Sequence, residues 1–290
     1  MTEFADCYWS SRDGLRLHYR DYAAEPGQAR LNRPPVLCLH GLTRNARDFE
    51  QLAAHLAGEW RVICPDLRGR GDSGYAKDSA SYNPLQYVDD LTALFEQAGL
   101  TRVVVIGTSL GGLLTMILAA TSPERLAGAV LNDIGPELEA AGIERIRSYV
   151  GQGRSFPTWM HAARSLEESQ GSAFPDFDIA GWLKLAKRCM AVGSNGRIQF
   201  DYDMKIAEPF NQPGGEAGVD LWPGLDAFAG RPTLLLRGAI SDILSPATHA
   251  RMAAQMPEAE AVTIPGVGHA PTLDEPGAVA AIERLLARVQ

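Results

Sequence analysis

What the 290-residue chain lacks narrows it first. No apolar run approaches the roughly 18 residues that suggest a membrane span; the longest, around Leu113 to Ala120, is short and sits inside a helical pattern. The opening stretch, Met1-Thr2-Glu3-Phe4-Ala5-Asp6, is acidic and carries neither a basic segment nor an apolar one, so the expectation is a cytoplasmic protein without membrane association. Cysteine is scarce. Cys7, Cys38, Cys64 and Cys189 show no C-x-x-C spacing, and Cys38 and Cys64 fall in apolar stretches, where they read as small buried residues. No H-E-x-x-H and no clustered His/Cys spacing occurs, so no metal and no other cofactor is expected. Positive charge is in deficit, 27 Lys and Arg against 35 Asp and Glu, for a net charge of −8. Binding a polyanion needs a basic surface, which argues against nucleic acid as a partner.

What is present is ordinary for a soluble enzyme: 46% hydrophobic and 21% charged residues, with no internal repeat. Two short β-type segments, Tyr8 to Arg12 and Leu15 to Tyr22, flank Asp13-Gly14, a strong hairpin signal. In the second, Leu15, Leu17 and Tyr19 alternate with Arg16, His18 and Arg20, which predicts one wet face. The pattern then changes. Val36-Leu37-Cys38-Leu39, Trp60 to Cys64, Val103 to Ile106, Leu126 to Leu131, Thr233 to Leu236 and Val262 to Ile264 are short apolar runs, the mark of strands buried on both faces. Between them lie helical spacings such as Leu85 to Ala98, Gly111 to Thr121, Pro246 to Gln255 and Gly277 to Val289. The alternation predicts an α/β fold with a doubly wound, mostly parallel sheet.

The alternation breaks once. From about 135 to 223 no buried-strand run appears, only helical patches rich in bulky groups (Glu139 to Val150, Pro157 to Ser169, Ile179 to Met190). This predicts a core domain of residues 1–134 and 224–290, with a mainly helical lid, 135–223, inserted after the sixth strand. His40 and, in the lid, Trp159, Met160 and His161 are the candidate substrate contacts.

The chemistry centres on Gly107-Thr108-Ser109-Leu110-Gly111, a G-x-S-x-G motif between an apolar strand and a helix. Small residues at 107 and 111 permit the sharp turn that exposes a serine, and the following helix points its positive end at it. A serine hydroxyl needs a base. Of six histidines, His18, His55 and His249 read as surface residues, while His269 lies in a Gly-flanked loop directly after the last apolar strand. The base needs an acid to hold its tautomer. Asp242 follows the penultimate strand and completes the chain order Ser109, Asp242, His269; Asp133, just past Asn132, is its rival for the place.

A second motif, Gly69-Arg70-Gly71-Asp72-Ser73-Gly74, matches G-x-G-x-x-G, but a dinucleotide site requires that loop to open a helix. Tyr75 to Pro84 is polar and rich in helix breakers instead.

Taken together, His40-Gly41-Leu42, Pro65-Asp66-Leu67-Arg68-Gly69-Arg70-Gly71-Asp72-Ser73, the serine turn, Arg237-Gly238 before Asp242, and Gly268-His269 before Asp274-Glu275-Pro276 resemble the α/β-hydrolase superfamily, in its lid-bearing branch of small bacterial esterases and carbon–carbon bond hydrolases. The resemblance implies an oxyanion hole made by the backbone N–H groups of Leu42 and Leu110. It also implies hydrolysis of a small to medium carboxylic ester, lactone or thioester, and the apolar lid favours a substrate with a hydrophobic part. Hydrolysis of a carbon–carbon bond in a vinylogous diketone is the rival chemistry, and a catalytically silent ligand-binding protein the rival class. The acyl and alcohol groups, and whether the protein is a monomer or a homo-oligomer, are not readable from the sequence.

Overall fold

The computed structural model describes residues 3–23, 33–212 and 220–289. Strands β1 (Ala5–Ser10) and β2 (Arg16–Tyr22) form the expected hairpin around Gly14, whose φ of 83° suits glycine. The alternating core follows: β3 (Val36–Leu39), α1 (Glu50–Leu56), β4 (Val62–Asp66), α2 (Pro84–Gln97), β5 (Val103–Thr108), α3 (Leu110–Thr121) and β6 (Leu126–Asn132). The interposed segment carries α4 (Ala140–Tyr149), β7 (Ser155–Phe156), α5 (Trp159–Gln170), α6 (Ile179–Cys189), β8 (Met190–Val192), β9 (Ile198–Phe200) and the single turn α7 (Ala207–Phe210). The core resumes with β10 (Thr233–Gly238), α8 (Pro246–Gln255), β11 (Glu260–Ile264) and α9 (Pro276–Ala287).

Eight strands make one sheet in the order β1-β2-β4-β3-β5-β6-β10-β11. The β1–β2 and β2–β4 pairs are antiparallel and the rest parallel. The continuous apolar runs are explained by two cores. Val36, Cys38, Val104, Ile106, Leu234 and Leu236 point to the side of α1 and α9, while Leu37, Leu39, Val103, Val105, Leu131 and Leu235 point to the side of α2 and α3. Alternate residues therefore face different layers, and both layers are dry.

Three details differ from the sequence reading. The interposed segment is not purely helical, because β7, β9 and β8 form a small antiparallel sheet of two- and three-residue strands too short to show a period. His18 is fully buried rather than on a wet face. Its ring meets Asp66 Oδ2 at 2.7 Å and Asp6 Oδ1 at 3.0 Å, since the loop after β4 covers that side of β2. His249 is likewise buried, against the Leu235 carbonyl. No helix of the described residues is long and apolar enough to cross a membrane.

Candidate active site

Ser109 sits at the turn from β5 into α3, with φ 53° and ψ −114°. That left-handed conformation costs a non-glycine residue on the order of 1–3 kcal/mol and persists only where its surroundings enforce it. They do. A Cβ at Gly107 would stand 2.4 Å from the Gly111 carbonyl oxygen, and one at Gly111 would stand 2.0 Å from that of Leu39. Strand, helix and neighbouring strand thus approach to backbone contact, and the only way through is the tight turn that lifts Ser109 Oγ off the sheet.

His269 comes from the loop after β11 and places Nε2 2.9 Å from Ser109 Oγ. Its Nδ1 lies 2.7 Å from Asp133 Oδ2. The expected pairing of His269 with Asp242 is therefore corrected: the carboxylate on the histidine is Asp133, directly after β6. Asp133 is completely buried, its Oδ1 accepting from the Gly238 amide (2.8 Å) and its Oδ2 also from the Ser241 hydroxyl (2.5 Å). Asp242 is engaged elsewhere, in a two-pronged pair with Arg145 of α4. Burial would push the Asp242 carboxyl up, but the Arg145 guanidinium outweighs it and holds it below the ordinary carboxylate range. A buried carboxylate accepting from Nδ1–H favours the tautomer whose Nε2 can accept a proton from Ser109 Oγ, the arrangement general-base chemistry requires.

The two amides expected to hold an oxyanion are at the same place. Leu110 is the first residue of α3, where an amide has no carbonyl four residues back within the helix. Leu42 lines the cavity at Ser109 together with Leu110. A Cβ on Gly41 would lie 3.7 Å from that of Ser109, so the Gly41–Leu42 turn runs against the nucleophile. The Leu42 carbonyl is tethered from behind by Arg70 Nε at 3.0 Å.

The other expected contacts are corrected. His40 is completely buried and borders neither cavity at Ser109: its Nδ1–H donates to the Gly41 carbonyl (2.8 Å) and its Nε2 accepts from the Leu67 amide (3.1 Å). Both ring nitrogens are committed, so it ties the loop after β3 to the loop after β4. Desolvation pushes its pKa down to about 4, against the opposing bond to Gly41. An unfolded His40 binds a proton below its ordinary pKa near 6.5, whereas the folded one does not until about 4. Stability should therefore fall as pH drops between these values, by about 3 kcal/mol from this group. Urea unfolding of wild type and His40→Asn across that range checks it; an unchanged acid slope in the variant would remove His40 as the cause.

Trp159, Met160 and His161 form the first turn of α5, and the residues of that helix that pack inward are Ala162, Ala163 and Leu166. Met160 is 46% exposed, and His161 is exposed, its Nδ1 on the Thr158 hydroxyl at 2.8 Å. None of the three borders the cavities at Ser109. The bulky groups that do include Tyr87, Leu113, Ile143 and Ile146 from α2, α3 and α4, Ile206 just before the α7 turn and Phe210 within it. They enclose an apolar chamber of about 550 Å³ that opens at Ser109.

One group among the described residues, His18, Asp66 and Asp72, has its side-chain ligand atoms within 4.8 Å of one another. The Asp66 oxygens are already taken by His18 Nδ1 and the amides of Ala46 and Asp72, so the cluster braces the loops after β3 and β4. The G-x-G-x-x-G loop belongs to the same bracing: a Cβ at Gly71 would stand 2.4 Å from Asp66 Oδ2, and only a short 3-10 turn, Ser79–Ser81, intervenes before α2.

Comparison with known proteins agrees with this architecture. The family model for the alpha/beta hydrolase fold matches residues 34–276, and the chain belongs to that family. It is 35% identical over 272 residues, 91% of this chain and 90% of the other, to the 3-hydroxybutyrate-oligomer hydrolase of Cupriavidus necator. It is 27% identical over 252 residues, 84% of this chain and 77% of the other, to the sn-1-specific diacylglycerol lipase ABHD11 of Mus musculus. A crystal structure of an alpha/beta hydrolase from Novosphingobium aromaticivorans superposes with a TM-score of 0.95 at 63% identity, covering 100% of both chains. The protein is a hydrolase of this family.

Proposed function

We propose that this hydrolase cleaves carboxylic esters with an apolar acyl part, through an acyl-enzyme on Ser109. The observation that carries the reading is the unbroken line from Asp133 through His269 to Ser109 Oγ, with spacings of 2.7 and 2.9 Å, opening onto an apolar chamber. Ser109 Oγ attacks the carbonyl carbon as His269 Nε2 takes its proton. The Leu42 and Leu110 amides receive the developing oxyanion, where pre-oriented donors act without reorganising. His269 returns the proton to the leaving oxygen, and a water activated by the same nitrogen releases the acid. Residues 135–223 act as the lid, since α4 and the α7 turn supply walls of the chamber. The similar Cupriavidus necator protein is named for an oligomer of 3-hydroxybutyrate, and hydroxy acids oligomerise through ester bonds.

The test is labelling by a fluorophosphonate together with turnover of nitrophenyl esters. A single adduct on the peptide bearing Ser109, absent in Ser109→Ala, is expected. The specificity constant should rise by up to about fourfold for each CH₂ added to the acyl chain until the chamber is filled. Labelling at another residue would overturn the assignment. Labelling at Ser109 with no ester turned over would overturn the ester reading in favour of a carbon–carbon substrate or ligand capture.

A further inference from the structure

Two cavities meet at Ser109, and their chemistry differs. The large chamber is apolar. The second is a crevice of about 60 Å³ bordered by His269, Thr43, Arg44, Tyr149 and Gln170 as well as Ser109. His269 borders the crevice and not the chamber. In acyl transfer the base that takes the serine proton must hand it to the leaving oxygen, so the leaving group lies on the side where the imidazole is open. The acyl chain then occupies the chamber and the alcohol occupies the crevice.

The crevice holds a cation that the sequence reading did not single out. Arg44 lies four residues past His40, and its side chain is only 18% exposed. It is gripped from one edge alone: Nη1 donates to Cys189 Sγ at 2.6 Å and faces Asp48 Oδ1 at 3.4 Å. Burial pushes the Cys189 thiol up, so it meets Arg44 as a neutral group. Among the described residues Nε and Nη2 have no hydrogen-bond acceptor, neither atom is fully buried, and Arg44 borders the crevice. That edge is the fork that matches a carboxylate with two parallel N–H···O bonds. The side chains of Thr43 and Gln170 likewise border the crevice with no hydrogen-bond partner among the described residues. Built polar groups left open beside a nucleophile need an acceptor from the ligand, because leaving them unpaired in a closed complex is costly.

We infer that the leaving alcohol is a short hydroxycarboxylate whose carboxylate docks on the Nε–Nη2 edge of Arg44, so that the substrate is an ester with a free acid at its alcohol end. The inference rests on the ester reading above. The Ser109 Oγ–acyl bond forms, the bond from the acyl carbon to the leaving oxygen breaks, and the proton held by His269 Nε2 goes to that oxygen. The hydroxycarboxylate departs with its charge unchanged, and water then cleaves the acyl-enzyme. On an oligoester of a hydroxy acid this geometry removes the terminal unit that bears the free carboxylate.

Two substrates with one acyl group test it: the butyryl ester of 3-hydroxybutyric acid and the same ester with its carboxylate converted to the primary amide. Wild type should prefer the free acid by about 10- to 100-fold in kcat/KM, the range for charge-assisted bonds from a fork. Arg44→Gln should bring the ratio close to one, and Arg44→Lys should retain part of it. A ratio is internal to each variant, so reduced folding yield does not imitate the result. Equal turnover of the two by wild type, or a preference that survives Arg44→Gln, overturns the role of Arg44 and leaves the ester reading intact. Turnover of neither, with nitrophenyl esters also inert, removes both.

Discussion

Asp133→Asn is expected to lower kcat for any ester by about 10³- to 10⁴-fold, the loss that follows when a histidine is left in the wrong tautomer. Asp242→Asn should stay within about fivefold of wild type, as befits a partly exposed ion pair. The difference lies in acceptor arithmetic. Both Asp133 oxygens accept: one from the Gly238 amide, the other from Ser241 and from His269 Nδ1. A carboxamide keeps one acceptor oxygen and presents an NH₂ in place of the other, so it must either abandon the Gly238 amide or face His269 with a donor. In the second case the imidazole turns its Nε2 into the donor and Ser109 loses its base. Asp242 has no such duty, because its oxygens answer to Arg145. Steady-state kinetics of the two variants, with circular dichroism to show that both fold, decide the point. A collapse in Asp242→Asn with Asp133→Asn nearly intact would transfer the role to Asp242.

The proposed nucleophile and base could be singled out in the sequence because their signals are local. Ser109 is read from five consecutive residues between a strand and a helix, and His269 from a Gly-flanked loop past a strand. The acid could not be read in that way. Asp133 and Asp242 both sit just past apolar strands, and the choice between them depends on what else reaches each carboxylate. β6 lies beside β5, so Asp133 stands one strand from Ser109, whereas β10 stands two strands away. Arg145 then claims Asp242 from a helix about a hundred residues earlier in the chain. No local pattern carries such a pairing. The substrate contacts expected in α5 do not border the cavities at Ser109 for a related reason: bulk and aromaticity there mark a helix that must pack, with Ala162, Ala163 and Leu166 buried, Trp159 packed against the same core and Met160 and His161 exposed. His40 and His18 read as free groups because their partners, the Leu67 amide and the Asp66 carboxylate, arrive from a strand and loop more than 20 residues away. The inner strands of the parallel sheet, in contrast, were legible, because burial on both faces writes itself into the sequence as apolar runs, whereas the edge strand β11 alternates between half-buried and exposed residues.

Asp90→Ala is expected to cost about 3–5 kcal/mol of stability, enough to bring a domain of ordinary stability close to unfolding. Arg68 is completely buried, and Asp90, 2% exposed at its side chain, grips its Nε and Nη2 at 2.6 Å each. The second partner, Asp13, is half exposed and reaches the Nη1–Nη2 edge at 2.9 and 3.1 Å, so it offsets only part of the charge that Asp90 leaves behind and leaves Nε without an acceptor. The cost is that of a buried cation left only partly compensated rather than the net value of the pair, which is why a double change to apolar residues, Arg68→Met with Asp90→Leu, should be milder than Asp90→Ala alone. The consequence reaches the site through the backbone. The Arg68 carbonyl accepts from Arg70 Nη1, and Arg70 Nε holds the carbonyl of Leu42, the residue whose amide is proposed for the oxyanion. Relaxation around Arg68 therefore loosens the peptide proposed to receive the oxyanion, and kcat of Asp90→Ala should fall at temperatures where circular dichroism still reports a folded chain. Urea unfolding and kinetics on the single and double variants test both halves of the argument. A double variant as unstable as Asp90→Ala would mean that packing around these side chains, and not charge left unpaired, sets the stability of this corner.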